Sequence, residues 1–106
     1  MQRIDPARHE RPVIDEAALV AARDAEKILD EVRERGMERW VRFFEPVPEL
    51  LRDAGLKDLR GIAMKARSSF GPKDSIRDVA PRDLTEPFLA DLDRLLKALA
   101  RDSAEH

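Results

Sequence analysis

Apolar residues along this chain recur at steps of three and four with charged residues between them, the period of helices that bury one side. Between positions 16 and 35, Leu19, Ala22, Ala25, Ile28, Leu29 and Val32 form one stripe. Asp15 is placed to accept hydrogen bonds from the free amides of the first turn, Ile14 to pack on Leu19, and Glu31 to pair with Arg35 on the exposed side. Gly36 supplies a left-handed stop. Residues 37–45 carry Trp40, Val41, Phe43 and Phe44, so most of the aromatic mass falls in one short helical piece and marks the centre of the core. Pro46 and Pro48 interrupt that helix, and Pro48 suits the first position of a new short one holding Leu50, Leu51 and Ala54 and ending at Gly55.

Asp58 is expected to cap the next helix, whose Leu59, Ile62, Ala63, Ala66 and Phe70 share a face before Gly71 and Pro72 end it. Gly61 inside it costs about 1 kcal/mol of helix propensity relative to alanine, which points to a close helix crossing there. The last helix is predicted from Thr85 as cap, with Leu84 stapled to Leu89 and Pro87 in the first turn. Phe88, Leu89, Leu92, Leu95, Leu96 and Leu99 then run along one face to about Arg101. No stretch of strict alternation competes with these helices. The expected fold is all-α, a compact bundle of four or five helices with a long polar connection before the last one. Residues 1–14, with Pro6 and Pro12 among charges, read as a flexible arm, 15–101 as the bundle domain, and 102–106 as a flexible tail.

Composition narrows the function classes. Charged residues make up 40% of the 106 positions, yet the acidic and basic groups nearly cancel to a formal −2, so no global field draws the chain to nucleic acid or anionic lipid. Cysteine is absent, which excludes disulfides, thiolate metal sites and cysteine nucleophiles and suits a reducing cytoplasm. The longest apolar run, 17–22, is far short of the roughly 20 residues a membrane-crossing helix needs, and the first residues show no export signal. Neither a membrane nor secretion is expected.

Candidate chemistry is sparse. The only histidines, His9 and His106, lie near the two ends, so no serine gains a nearby base and no His-based metal pair forms on a helix face. Asp74 and Asp78 would share a face if 75–79 made a helical turn, but the expected roles are a cap for Asp74 and a solvated partner of Lys73 or Arg82 for Asp78. The four glycines are too scattered to cradle a phosphate. Asp91 and Asp93 stand about 200° apart on a helix and cannot act together, and Asp93 is spaced to pair with Lys97. The expectation is a non-enzyme with no cofactor and no metal.

Partner binding is what remains. Residues 51–77 hold seven basic groups (Arg52, Lys57, Arg60, Lys65, Arg67, Lys73, Arg77) against three acidic ones (Asp53, Asp58, Asp74). The two helices around Gly55 also have the outline of a helix-turn-helix, with Arg60, Lys65 and Arg67 as candidate nucleic-acid contacts. The acid-rich first helix opposes that reading. The favoured one is a protein-binding module that uses the mixed-charge surface of Arg67, Lys73, Asp74, Arg77, Asp78 and Arg82, because long polar connections in compact domains usually bind something or carry a turn of helix. Partner identity is open, and a homodimer is compatible with the pattern.

An upstream Trp40, the Phe70, Gly71, Asp74, Ser75, Ile76, Asp78, Val79 pattern and the leucine-rich closing helix resemble a family of small uncharacterised bacterial helical domains. Members have a glycine-rich turn where this chain has Gly71-Pro72-Lys73-Asp74. The resemblance implies a small accessory protein of the immunity or antitoxin kind that binds and neutralises a partner, a toxin for example, and it carries over no catalytic residue. For the fold itself, replacing Phe44 or Leu92 with alanine is expected to cost about 2 to 5 kcal/mol. Urea unfolding followed by circular dichroism measures that loss against the roughly 5 to 15 kcal/mol such a domain holds.

Overall fold

The structure, a computed structural model, describes residues 6–104 and is an all-α bundle. Its helices are α1 (Pro6–His9), α2 (Pro12–Glu34), α3 (Glu38–Phe44), α4 (Val47–Asp53), α5 (Leu56–Arg67) and α6 (Arg82–Ala104), with single 3-10 turns at Ser68–Phe70 and Ile76–Asp78. The two longest helices, α2 and α6, pack on each other and run antiparallel: Arg11, just before α2, meets Asp102 near the end of α6 at 2.5 Å, and Asp24 faces Asp91 midway. On α2 the buried stripe is small-sided, with Ala17, Ala18, Ala21, Ala22 and Ala25 all fully covered, and α6 brings Phe88, Leu92 and Leu95. Alanine loses no rotamer freedom on burial and lets the helix axes approach, so bulk from α6 fills what α2 leaves open. Leu19 lies outside this arc at 100° per residue and is 37% exposed, so Ile14 is buried without it as a staple.

The rest of the chain covers this pair. Helices α3 and α4 pack on α2, while α5 packs on α6 and α4. Rings link the layers: Trp40 to Phe43 at 5.8 Å, Phe43 to Phe44 at 5.1 Å, Phe44 to Phe88 at 5.9 Å and Phe88 to Phe70 at 6.2 Å. Trp40, Phe44, Phe88 and Leu92 are buried as expected, whereas Phe43, Ile62, Phe70 and Leu96 are only partly covered.

Several element ends differ from the sequence reading. Residues 6–14, expected as a flexible arm, contain α1 and the first turn of α2; the first five residues of that arm lie outside the described residues. Pro12 starts α2 because its fixed φ and missing N–H fit the first helical position. Arg8 secures the segment: it is 5% exposed, its Nε lies 2.6 Å from Asp15 Oδ1, and its Nη1 donates to the Ala54 carbonyl at 2.8 Å. That carbonyl closes α4, where a cation offsets the negative helix end. Helix α6 likewise continues through 102–104, where a flexible tail is expected, because Arg11 holds Asp102; residues 105 and 106 lie outside the described residues. Thr85 does not cap α6, which begins three residues earlier; its amide donates to Pro81 O at 3.1 Å, and its Oγ1 is buried without a partner. Nor does Asp58 cap α5, which starts at Leu56 after an extended Gly55. An arm would tolerate loss of Arg8 within about half a kcal/mol, but removing this buried fork is expected to cost about 1 to 3 kcal/mol. Urea titration of Arg8→Ala decides between the two.

One polar contact lies inside the α2–α6 seam. The Asp24 Oδ2 atom is shut off from water, and no N–H donor reaches it. Its hydrogen-bond neighbour is the Asp91 carboxyl, and two carboxyls can be joined only through a proton on one of them. Burial first, then Asp91 as hydrogen-bond partner and second negative charge, raises the Asp24 pKa from 3.8 to about 7 against the opposing pull of Lys27 and Arg23. Arg94 approaches the Asp91 side at 3.6 Å. The folded chain holds this proton more tightly than the unfolded chain does. The resulting stabilisation is therefore complete below 3.8 and is lost as the pH rises through about 7. In Asp24→Asn an amide N–H donates to Asp91 at every pH. That variant is expected to flatten the decline and to exceed the parent above neutral pH by about 1 to 2 kcal/mol, allowing for partial solvent screening. Unfolding curves at a series of pH values test this.

Candidate functional site

The polar connection between α5 and α6 is tightly tied down. Gly71 is required where the chain leaves the 3-10 turn, since a Cβ there would lie 2.9 Å from the Ser68 carbonyl oxygen. Asp74 takes the left-handed region at φ 51 rather than capping, and the Ser75 hydroxyl accepts from the Arg77 amide at 3.1 Å to start the Ile76–Asp78 turn. Arg77 makes a two-pronged contact with Glu86 of α6 at 2.8 and 3.2 Å and lies 5.4 Å from the Phe70 ring centre. The hydrogen bond from Arg77 holds the Glu86 carboxyl below its usual range, and the same bond raises the Arg77 pKa.

The residues expected to bind a partner therefore divide into two groups. Arg67 pairs with Asp93 at 2.6 Å, Asp74 with Arg39 at 3.4 Å, and Arg77 with Glu86, whereas Lys73, Asp78 and Arg82 are exposed and make no ion pair among the described residues. Asp74 and Asp78 do come together, in a cleft of about 360 Å3 shared with Met37, Glu38, Arg39 and Trp40; Lys73, Arg77 and Arg82 do not line it. Asp93 thus pairs across helices and not with Lys97. The candidate nucleic-acid residues Arg60 and Lys65 are exposed on α5 near Met64, but Arg67 is held by α6.

A larger opening lies elsewhere. Helices α4 and α5 form a hairpin about the Ala54-Gly55 link, and a groove of about 670 Å3 runs between them, floored by Phe43, Val47, Leu50, Ala54 and Ile62. Pro46, Glu49, Leu50 and Asp53 from one side, and Asp58, Gly61, Ile62 and Lys65 from the other, each follow the i, i+3, i+4, i+7 spacing of one helix face. Leu50 is 44% exposed. Glu49, Asp53 and Asp58 give the rim three carboxylates against the single Lys65, and among the described residues none of these four makes an ion pair. Gly61 does not mark a crossing within the chain, because nothing lies within 4 Å of where its Cβ would be. The groove was missed because the apolar pattern assigned Leu50 and Ile62 to the core; the acids spaced around them were the available signal.

The groove and the cleft differ in what they offer a partner. Charges already paired in the connection must give up those pairs or be desolvated with them, while an apolar floor gains from leaving water. Among the described residues no group of three or more His, Asp or Glu could hold a metal ion, and no helix is long and apolar enough to cross a membrane. No family model, curated protein or solved structure matches this chain.

Proposed function

We propose that this chain is a non-catalytic protein-binding module whose recognition surface is the α4–α5 groove. The observation that carries the reading is the conjunction of an apolar floor at the exposed Leu50 and the partly covered Ile62 with a rim of carboxylates that the fold itself leaves unpaired. Such a surface gains apolar burial at its centre and charge selection at its edge, the division of labour found in protein interfaces. The free side chains of Lys73, Asp78 and Arg82 add a second, polar contact region. Within this reading, an immunity or antitoxin role that neutralises a bound partner is supported by the resemblance at 70–79, and a reducing cytoplasm suits the absence of cysteine.

A helix-turn-helix regulator is the second reading, favoured by the exposed Arg60 and Lys65 on α5. It makes opposite demands. DNA attraction must overcome the acidic rim beside those residues and must fall steeply with salt. Affinity capture of the tagged chain from its own cells, with quantitative mass spectrometry, is expected to recover one stoichiometric protein. Leu50→Glu is expected to remove that protein by about tenfold or more at a stability cost of about 1 to 2 kcal/mol, since more than half of Leu50 is covered, with circular dichroism checking that the variant stays folded. Retention of the partner by Leu50→Glu, or recovery of DNA released by moderate salt, would overturn the reading.

A further inference from the structure

We propose that the occupant of the α4–α5 groove is a basic amphipathic helix of another protein, seated against α5 at Gly61. This rests on the protein-binding reading and names the partner's chemistry.

Three observations converge on a helix of that kind. First, Leu50 and Ile62 lie on two facing helix faces, each about 10 Å long from i to i+7 at 1.5 Å per residue, which leaves a trough about two helical turns long. A helix placing apolar residues at i, i+3 or i+4 and i+7 fills such a trough, the recurring way an amphipathic helix docks between two others. Second, Glu49, Asp53 and Asp58 have no cationic partner of their own, so lysine or arginine beside the incoming apolar stripe would meet them without breaking any existing pair.

Third, Gly61 stands in the middle of α5, where glycine opposes helix formation, and no contact within the chain explains it. A Cβ would fit there in the free protein. It would also project from the groove wall, where a bare backbone lets a second helix axis come close. Gly61 is therefore unfavourable for the free fold and favourable for a docked helix.

The test separates these two effects. A displayed library of helical peptides of roughly 15 residues, the length at which an isolated helix becomes sustainable, is selected on the full chain. Enriched peptides are expected to share apolar positions at helical spacing flanked by lysine or arginine. Synthesised with a dye and read by fluorescence anisotropy, they are expected to bind more weakly as salt is raised. Gly61→Ala is expected to raise the thermal midpoint of the free protein by several degrees, yet to weaken the peptides by about tenfold or more, 1.4 kcal/mol in binding. Glu49→Gln with Asp53→Asn and Asp58→Asn is expected to abolish the preference for basic over neutral versions of the same peptide. The proposal is overturned by enrichment of neutral or acidic peptides, by unchanged affinity in Gly61→Ala, or by self-association of the free chain that Leu50→Glu abolishes, which would assign the groove to a second copy. If no peptide is enriched while Leu50→Glu still loses a cellular partner, the helix is the wrong occupant and protein binding stands; if both fail, neither survives.

Discussion

Everything in this fold leans on the close antiparallel contact of α2 and α6. Five buried alanines on α2 give that contact its narrow width, and Phe88, Leu92 and Leu95 of α6 supply its bulk. Small facing large is what lets two 23-residue helices pack closely, and the shorter helices then need only cover the flanks. The same closeness has a cost. Asp24 and Asp91 lie in the seam where water reaches only part of the pair, so a shared proton becomes the condition for holding them together. The principal contact of the bundle is thereby coupled to pH within the range where most proteins of this size are at their most stable.

Arginine does most of the remaining joining. Arg8 ties the N-terminal turn to α2 and α4, Arg11 ties the start of α2 to the end of α6, Arg67 ties α5 to α6, and Arg77 ties the polar connection to α6. A planar guanidinium can donate to two acceptors at once, which suits the joining of helix ends that the apolar faces do not reach. The consequence for function is direct. A loop whose charges are already paired is poorly placed to spend them on a partner, whereas carboxylates that make no ion pair within the fold, such as Glu49, Asp53 and Asp58, can meet a partner's cation without breaking one.

How much was legible in the sequence follows from the range of the forces involved. Helix period, proline breaks and the left-handed Gly36 act within a few residues, so the all-α class, the break near Pro46 and the aromatic centre were readable. The ends of the long helices were not. Arg8 reaches Ala54 and Arg11 reaches Asp102 across the fold, and contacts so distant in sequence turned an expected arm and tail into helix. Asp91 was read against Asp93, its neighbour in sequence, although its partner Asp24 lies on another helix. The polar connection was visible as composition, but composition does not distinguish charges that bind from charges that are already paired.

The groove follows from the shortness of α4. Pro46 and Pro48 set its start and the extended Ala54 ends it after seven residues, and its buried face of Val47, Pro48 and Leu51 is turned to the core. A helix that short cannot cover the 12 residues of α5, so the flank carrying Gly61 and Ile62 stays beside an α4 that shows Leu50 outward. Closing the opening within the chain would have been simple: a longer α4, or a larger residue at 61, would fill it and stabilise the helix. Instead the opening carries an apolar floor and the one helix-interior glycine, each slightly unfavourable for a domain that binds nothing, beside a rim of carboxylates that make no ion pair. Two departures from what the fold needs coincide on one face with an acidic rim, and the basic helix proposed as the occupant would answer all of these features at once.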